Sequence, residues 1–303
     1  SDNGGCEGSS ETYTDNAPLD EGKSSAKEGG TRIPLIIAGP DIKRGVDSNV
    51  LANGLDFFPT IQAWTKTKNQ PGLDGSDLST LLATDPTDPA KVKDGSGAAR
   101  NMLFHHFPHG STPRSSIRIG DFKLIQNFGQ VDGVPNRMPD LELYQLYGAD
   151  NARVDIEEAK NLAQSMPEKV NAMQQELAQQ LVAMDASKPY FNPDTKHKIP
   201  NKDKVCTPLK SQRNGKTVSV SFKENGSKVV QGYLMVTFNG GSNVEEWFRH
   251  DAVVNEDGSL TAELPDGASH YLFSLIDDNG FLVSFPKLDD MSTAKKKKLK
   301  FSS

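Results

Sequence analysis

Apolar positions along this chain change their spacing several times, and each spacing predicts a different element. The first is a continuous run, Ile33-Pro34-Leu35-Ile36-Ile37-Ala38, closed by Gly39-Pro40. A short unbroken run between breakers predicts a strand over 31–38, buried on both faces as in a parallel sheet. Next, Phe57, Phe58, Ile61 and Trp64 fall on one face of a helix over Asp56–Trp64, with Pro59 tolerated in its first turn. Aromatics at that spacing are expected in a core. Two alternating runs around Gly120-Asp121 then predict a hairpin over Ser116–Ile125, and Leu141–Tyr147 reads as a further strand. From Ser165 the spacing turns helical again: Val170, Met173, Leu177, Leu181 and Met184 make one stripe. Ser165 and Glu168 predict a capping box with Pro167 in the first turn, and the stripe is expected to cover the antiparallel sheet before it.

Beyond a Pro- and Lys-rich linker at 193–204 the texture is short alternating runs: 218–222, 229–238, 260–264, 271–276 and 281–285. Asn225-Gly226, Asn239-Gly240, Asp257-Gly258, Asp266-Gly267 and Asn279-Gly280 separate them. Short strands between such turns predict a β-sandwich-like domain over 205–303. Trp247 and Tyr271 are expected in its core, with carbohydrate stacking as the alternative. Lys295–Lys298 reads as a solvated tail.

Composition narrows the classes. A chain of 303 residues with 35% hydrophobic content and 14 Phe holds one large or two ordinary domains. Forty acidic against 34 basic residues leave a net charge of −6, which points to neither nucleic acid nor a membrane surface. No apolar stretch has the length of a membrane span. Cys6 and Cys206 make no disulfide framework.

Candidate chemistry begins at Asp2-Asn3-Gly4-Gly5, a carboxylate and an amide oxygen before two glycines. Hard cations take such oxygens, and the same residues also make an ordinary turn. Lys23 places a point charge in a glycine-flanked loop where an anion could approach, and Lys27 in the same loop reads as a solvated bystander. His105, His106 and His109 crowd Leu103–His109, though strand alternation would part His106 from the other two.

Ser-Asp-Asn-Gly-Gly, then Glu-Gly-Lys at 21–23, then Lys-Glu-Gly-Gly-Thr-Arg-Ile-Pro-Leu-Ile at 27–36, resembles the C-terminal half of type I, formylglycine-dependent sulfatases of the alkaline-phosphatase superfamily. Asp-Phe-Phe-Pro-Thr at 56–60, Leu-Asp-Gly at 73–75 and His-His-Phe-Pro-His at 105–109 extend it over roughly residues 1 to 190. The resemblance implies an α/β fold: residues 1–68 from the catalytic domain and 69–192 an antiparallel sheet with a helix, ahead of the linker and the β-domain. It implies that Asp2 and Asn3 hold calcium, with magnesium as the alternative. It implies too that Lys23 grips the sulfate ester, His106 and His109 approach the substrate, and the protein works in the periplasm or outside the cell. The family's Cys/Ser-x-Pro-x-Arg nucleophile motif is absent; Ser111-Thr112-Pro113-Arg114 falls one residue short of it. The chain is therefore expected to be a fragment, inactive alone, of an enzyme acting on sulfate esters, sulfated carbohydrates among them. The alternatives are a phosphodiesterase or phosphonate hydrolase of the same superfamily, and an inert product with a carbohydrate- or partner-binding β-domain. Oligomeric state is left open.

Overall fold

The structure, a computed structural model, describes residues 3–6, 14–68, 70–109, 113–128, 139–196, 198–242 and 244–287. It is mixed α/β, with antiparallel sheets and few helices, and falls into two compact units that part at Lys188 and Pro189.

In the first unit a four-stranded antiparallel meander forms the base: β1 (Met102–Phe107), β2 (Arg114–Ile119), β3 (Phe122–Asn127) and β4 (Leu141–Gln145). The expected hairpin is there, with Ile119 opposite Phe122 across a two-residue turn. Gly120 takes φ 55 in that turn, a conformation that costs a residue with a Cβ. The predicted C-terminal helix runs over Pro167–Ala183 and buries Val170, Met173 and Leu177 against Ile117, Leu124 and Leu143 of the sheet. Its capping box does not form. The helix starts one residue late, at Met166 as cap, so Glu168 stands at the second helical position instead of the third. The Ser165 hydroxyl donates instead to the Leu162 carbonyl at 3.1 Å.

Shorter helices precede the sheet: α1 (Glu28–Thr31), α2 (Phe57–Thr65) and α3 (Ser79–Ala83), which makes the Pro167–Ala183 helix α4. Two expectations fail here. Residues 32–39 form no strand, and Ile36 is 91% exposed, because no described strand lies alongside to pair with them. The aromatic face of α2 is not core: Phe57, Phe58, Ile61 and Trp64 are each about half exposed. The side of α2 that turns inward is polar. Thr60 donates to the Asp56 carbonyl and accepts from Leu78 N, and the Asp56 carboxylate lies fully buried against the Arg100 guanidinium, 2.7 Å on each side.

In the second unit β5 (Thr207–Asn214), β6 (Thr217–Lys223), β7 (Val229–Thr237), β8 (Trp247–Asn255), β9 (Ser259–Glu263), β10 (His270–Asp277) and β11 (Leu282–Phe285) make one antiparallel sheet. The order is β11-β10-β7-β8-β9-β6-β5, and the sheet curls until β11 and β5 touch. β8 joins the two halves, pairing Trp247–Ala252 with β7 and Val253–Asn255 with β9. Both halves close on one core of Val218, Val220, Leu234, Val236, Leu260, Phe273 and Leu275. Tyr271 packs against it as expected, whereas Trp247 is half-buried at the surface with its Nε1 3.2 Å from Glu245.

The α4 contact yields a contrast. Leu177 is fully buried and Val182 is 81% exposed on the same helix. Leu177→Ala should cost about 2–5 kcal/mol, the range for emptying a packed site, and Val182→Ala should stay within about 0.5 kcal/mol. Denaturant unfolding followed in the first unit checks both; equal losses would mean that α4 does not seat as described.

Candidate functional site

The pleat of the meander gives it two unlike faces. Ile117, Leu124 and Leu143 stand in one cross-strand row and meet α4. The other rows, Ser116–Ile125–Glu142, Arg118–Lys123–Tyr144 and Arg114–Asn127, point to the opposite side. That side is charged yet buried: Arg114 is 3% exposed, Lys123 2% and Glu142 6%. Its cover is the 19–32 segment, whose Leu19 and Ala26 pack on Ile125, Tyr144 and Ile156.

Charge is matched across this contact. Lys123 Nζ lies 2.9 Å from Glu28 Oε1 and 3.1 Å from Glu158 Oε1. Glu28 also takes Arg32 at 2.6 Å, and its backbone N–H donates to Glu158 Oε2 at 2.5 Å. Lys27 pairs with Asp20 at 2.7 Å and sits 4.9 Å over the Tyr144 ring. The Tyr144 hydroxyl donates to Glu142, which accepts also from Asn127 Nδ2 at 2.7 Å. Burial pushes the Glu28 carboxyl up, but Lys123 and Arg32 together outweigh it and hold it at about 2. For Glu158 burial wins over Lys123, and its carboxyl rises. Burial and the Glu142 carboxylate push the Tyr144 hydroxyl up, so it stays a donor.

On this base the two glycine-bearing stretches of the sequence are laced together. Lys23 N donates to the Gly5 carbonyl at 2.9 Å and Gly4 N to the Gly30 carbonyl at 3.2 Å. The Asn16 amide bridges Gly5 N, Gly5 O and Glu21 O. The approach is too close for side chains: a Cβ at Gly4 would overlap the Gly29 carbonyl, and one at Gly29 the carbonyls of Asp20 and Glu21. Asn3 and Lys23 are thereby brought into one corner, Asn3 half-buried and Lys23 exposed. Among the described residues the Lys23 ammonium makes no ion pair.

Asp2 lies outside the described residues. Asn3 offers one amide oxygen, and among the described residues no three His, Cys, Asp or Glu gather to hold a metal. A donor set of that size does not by itself make a calcium site. Lys27 is not the solvated bystander expected: it is 8% exposed and paired. His106 lies on the α4 face, away from the Lys23 loop, with Nδ1 2.6 Å from Ser115 Oγ and Nε2 2.9 Å from the Ser187 carbonyl. His109 follows β1, exposed, its ring 3.9 Å from that of Phe107. The structure thus brings the Gly4-Gly5 backbone beside the Lys23 loop and leaves His106 on the other side of the sheet.

Sequence reading passed over the support beneath the loop: Glu28, Arg114, Lys123, Glu142 and Glu158. In the sequence, Glu28-Gly29-Gly30 lies inside the Lys27–Ile36 stretch, and Arg114 ends an incomplete nucleophile motif. The pleat carries a signal, since Ile117, Ile119, Phe122 and Leu124 alternate onto one face while Arg114, Arg118 and Lys123 fall on the other.

Glu28 makes a pH prediction. Its folded pKa of about 2 lies below the ordinary 4.5. Its contribution is therefore present above pH 4.5 and is lost as pH falls toward 2, roughly 3 kcal/mol in all. Wild type should exceed Glu28→Gln in stability at pH 6, and the gap should narrow steadily from pH 4.5 down. A gap that stays constant in denaturant titrations at pH 6, 4 and 3 would refute the assignment of that charge.

No family model matches the chain. A curated sulfatase of Formosa agariphila is 28% identical over 179 residues, covering 55% of this chain and 28% of its own length. The chain thus spans a little over a quarter of that relative. A solved sulfatase structure, from work on the metabolism of multiple glycosaminoglycans by Bacteroides thetaiotaomicron, is 25% identical with a TM-score of 0.40. It covers 53% of this chain and 31% of its own. In its sequence, this chain is similar to the C-terminal part of the sulfatases.

Proposed function

We propose that this chain belongs to an enzyme that hydrolyses sulfate esters, and that it supplies the lysine that meets the sulfate group. The observation that carries this reading is the corner where the Asn3–Gly5 turn is laced to the Lys23 loop. As the bond from sulfur to the leaving oxygen of a sulfate ester breaks, the electron pair goes to that oxygen, which gains negative charge. A fixed ammonium at that place stabilises the gain without having to reorganise. Lys23 suits the task because its charge is exposed while the backbone beneath it is held at Gly5 and Gly22. Asp2 and Asn3 would supply two oxygen donors toward calcium. The other ligands and a formylglycine nucleophile are taken to come from sequence outside these 303 residues, since the Cys/Ser-x-Pro-x-Arg motif is absent. Of the two histidines, His109 keeps an exposed ring for a substrate, and both nitrogens of His106 are engaged within the fold.

Two measurements test the reading. The 303-residue chain alone should turn over no aryl sulfate above a heat-treated control; steady turnover would show that no outside nucleophile is needed. In a sulfatase-active polypeptide that contains this chain, Lys23→Ala should lower kcat/KM about a hundredfold with an unchanged melting temperature. The control is exposed Lys43, because loss of Lys27 would unpair a buried ion network. Equal activities of Lys23→Ala and Lys43→Ala would remove Lys23 from the site.

A further inference from the structure

Arg114 comes up from β2 beneath the Lys23 loop, and the side chains it meets there stand on either side of Lys23. Its Nη1 donates to Glu21 Oε2 at 2.9 Å and to Ser25 Oγ at 3.3 Å, and the Ser25 hydroxyl donates to that same Glu21 oxygen. Glu21 is two residues before Lys23 and Ser25 two after. One buried guanidinium therefore clasps both legs of the turn whose tip is Lys23. The turn needs such a clasp. Glu21 has φ 57 and Ser24 φ 72, left-handed values that non-glycine residues hold only when their surroundings impose them. Arg114 is itself immobile at its root, since β2 pairs on both sides, Arg114 with Phe107 of β1 and with Asn127 of β3.

The geometry points to Arg114 as the positioning residue for Lys23, acting through Glu21 and Ser25. It touches no substrate; it sets where the ammonium stands. The inference rests on the reading of Lys23 as the sulfate-binding lysine. An arginine suits the role better than a lysine, because a planar fork fixes the direction of each acceptor where an ammonium fixes only a distance. A lysine there should recover part of the effect.

The test has a structural and a kinetic arm. In the 303-residue chain, amide hydrogen exchange is followed at Lys23, whose N–H is bonded to the Gly5 carbonyl, and in α4 as reference. Arg114→Met should speed exchange at Lys23 by about ten- to a hundredfold and leave the α4 amides within about threefold. Ser25→Ala and Glu21→Gln should loosen the same amide less. If Arg114→Met loosens α4 equally, Ser25→Ala and Glu21→Gln decide by the same criterion. In a sulfatase-active polypeptide containing this chain, Arg114→Met should lower kcat for a small aryl sulfate about tenfold with KM little changed, and Arg114→Lys should regain part of it. An unchanged Lys23 amide overturns the inference. So does an unchanged kcat in Arg114→Met or in the two loop variants while Lys23→Ala is crippled. Should Lys23→Ala itself prove fully active, the reading of the site fails and the positioning role falls with it, whatever the exchange data show.

Discussion

Charge taken out of water has to be matched where it is buried, and the first unit is arranged to meet that demand. Each ion removed from solvent costs several kcal/mol unless a partner and further hydrogen bonds replace the water. Lys123 finds its partners in Glu28 and Glu158, and Glu28 adds Arg32. These residues come from the 19–32 segment, the centre of the meander and the stretch after β4. Lys123 draws both of its partners from other segments, whereas Glu28 is shared between Lys123 and Arg32 of its own segment. Burial of apolar surface under α4 supplies the net stability on one face. On the other, the ion pairs contribute chiefly register, since a shift of the covering segment by one residue would leave buried charges opposite like charges or none.

That arrangement explains the contrast between Lys23 and Lys27, four residues apart in a similar setting of small and polar neighbours. Lys27 is spent on holding the segment down against the ring of Tyr144, with Asp20 of the same segment beside it. Burial pulls its ammonium pKa down, but Asp20, Glu142 and Glu158 together raise it above its ordinary value. Lys23 stands exposed in the turn between Glu21 and Ser25. An exposed charge on a braced base suits recognition of an anion, because little ordering remains to be done on binding.

What was legible in the sequence was whatever depends on near neighbours. The α4 stripe from Val170 to Leu181, the hairpin at Gly120-Asp121 and the strands between Asn-Gly and Asp-Gly turns follow from periodicity and turn chemistry and appear in the structure. Met184, the last residue of the expected stripe, lies past the helix and is exposed. Residues 31–38 and the face of α2 show where that method stops: periodicity reports that a side is apolar, not that anything lies against it. The ion network was illegible for another reason. Glu28 and Lys123 are 95 residues apart, and 34 basic against 40 acidic residues offer far too many pairings to choose among. Gly4 and Gly29 lie between these cases. Their pairs of glycines were visible, but that they face each other was not.

The shared strand β8 has a consequence for the second unit. Because its first six residues belong to one half of the sheet and its last three to the other, neither half has a complete hydrogen-bonded boundary of its own. Pulling β8 away would strip an edge from both at once and open the common core from its middle. Under force, or against a protease, this unit should therefore give way as a whole in a single event, with no stable half-sheet surviving as a remnant.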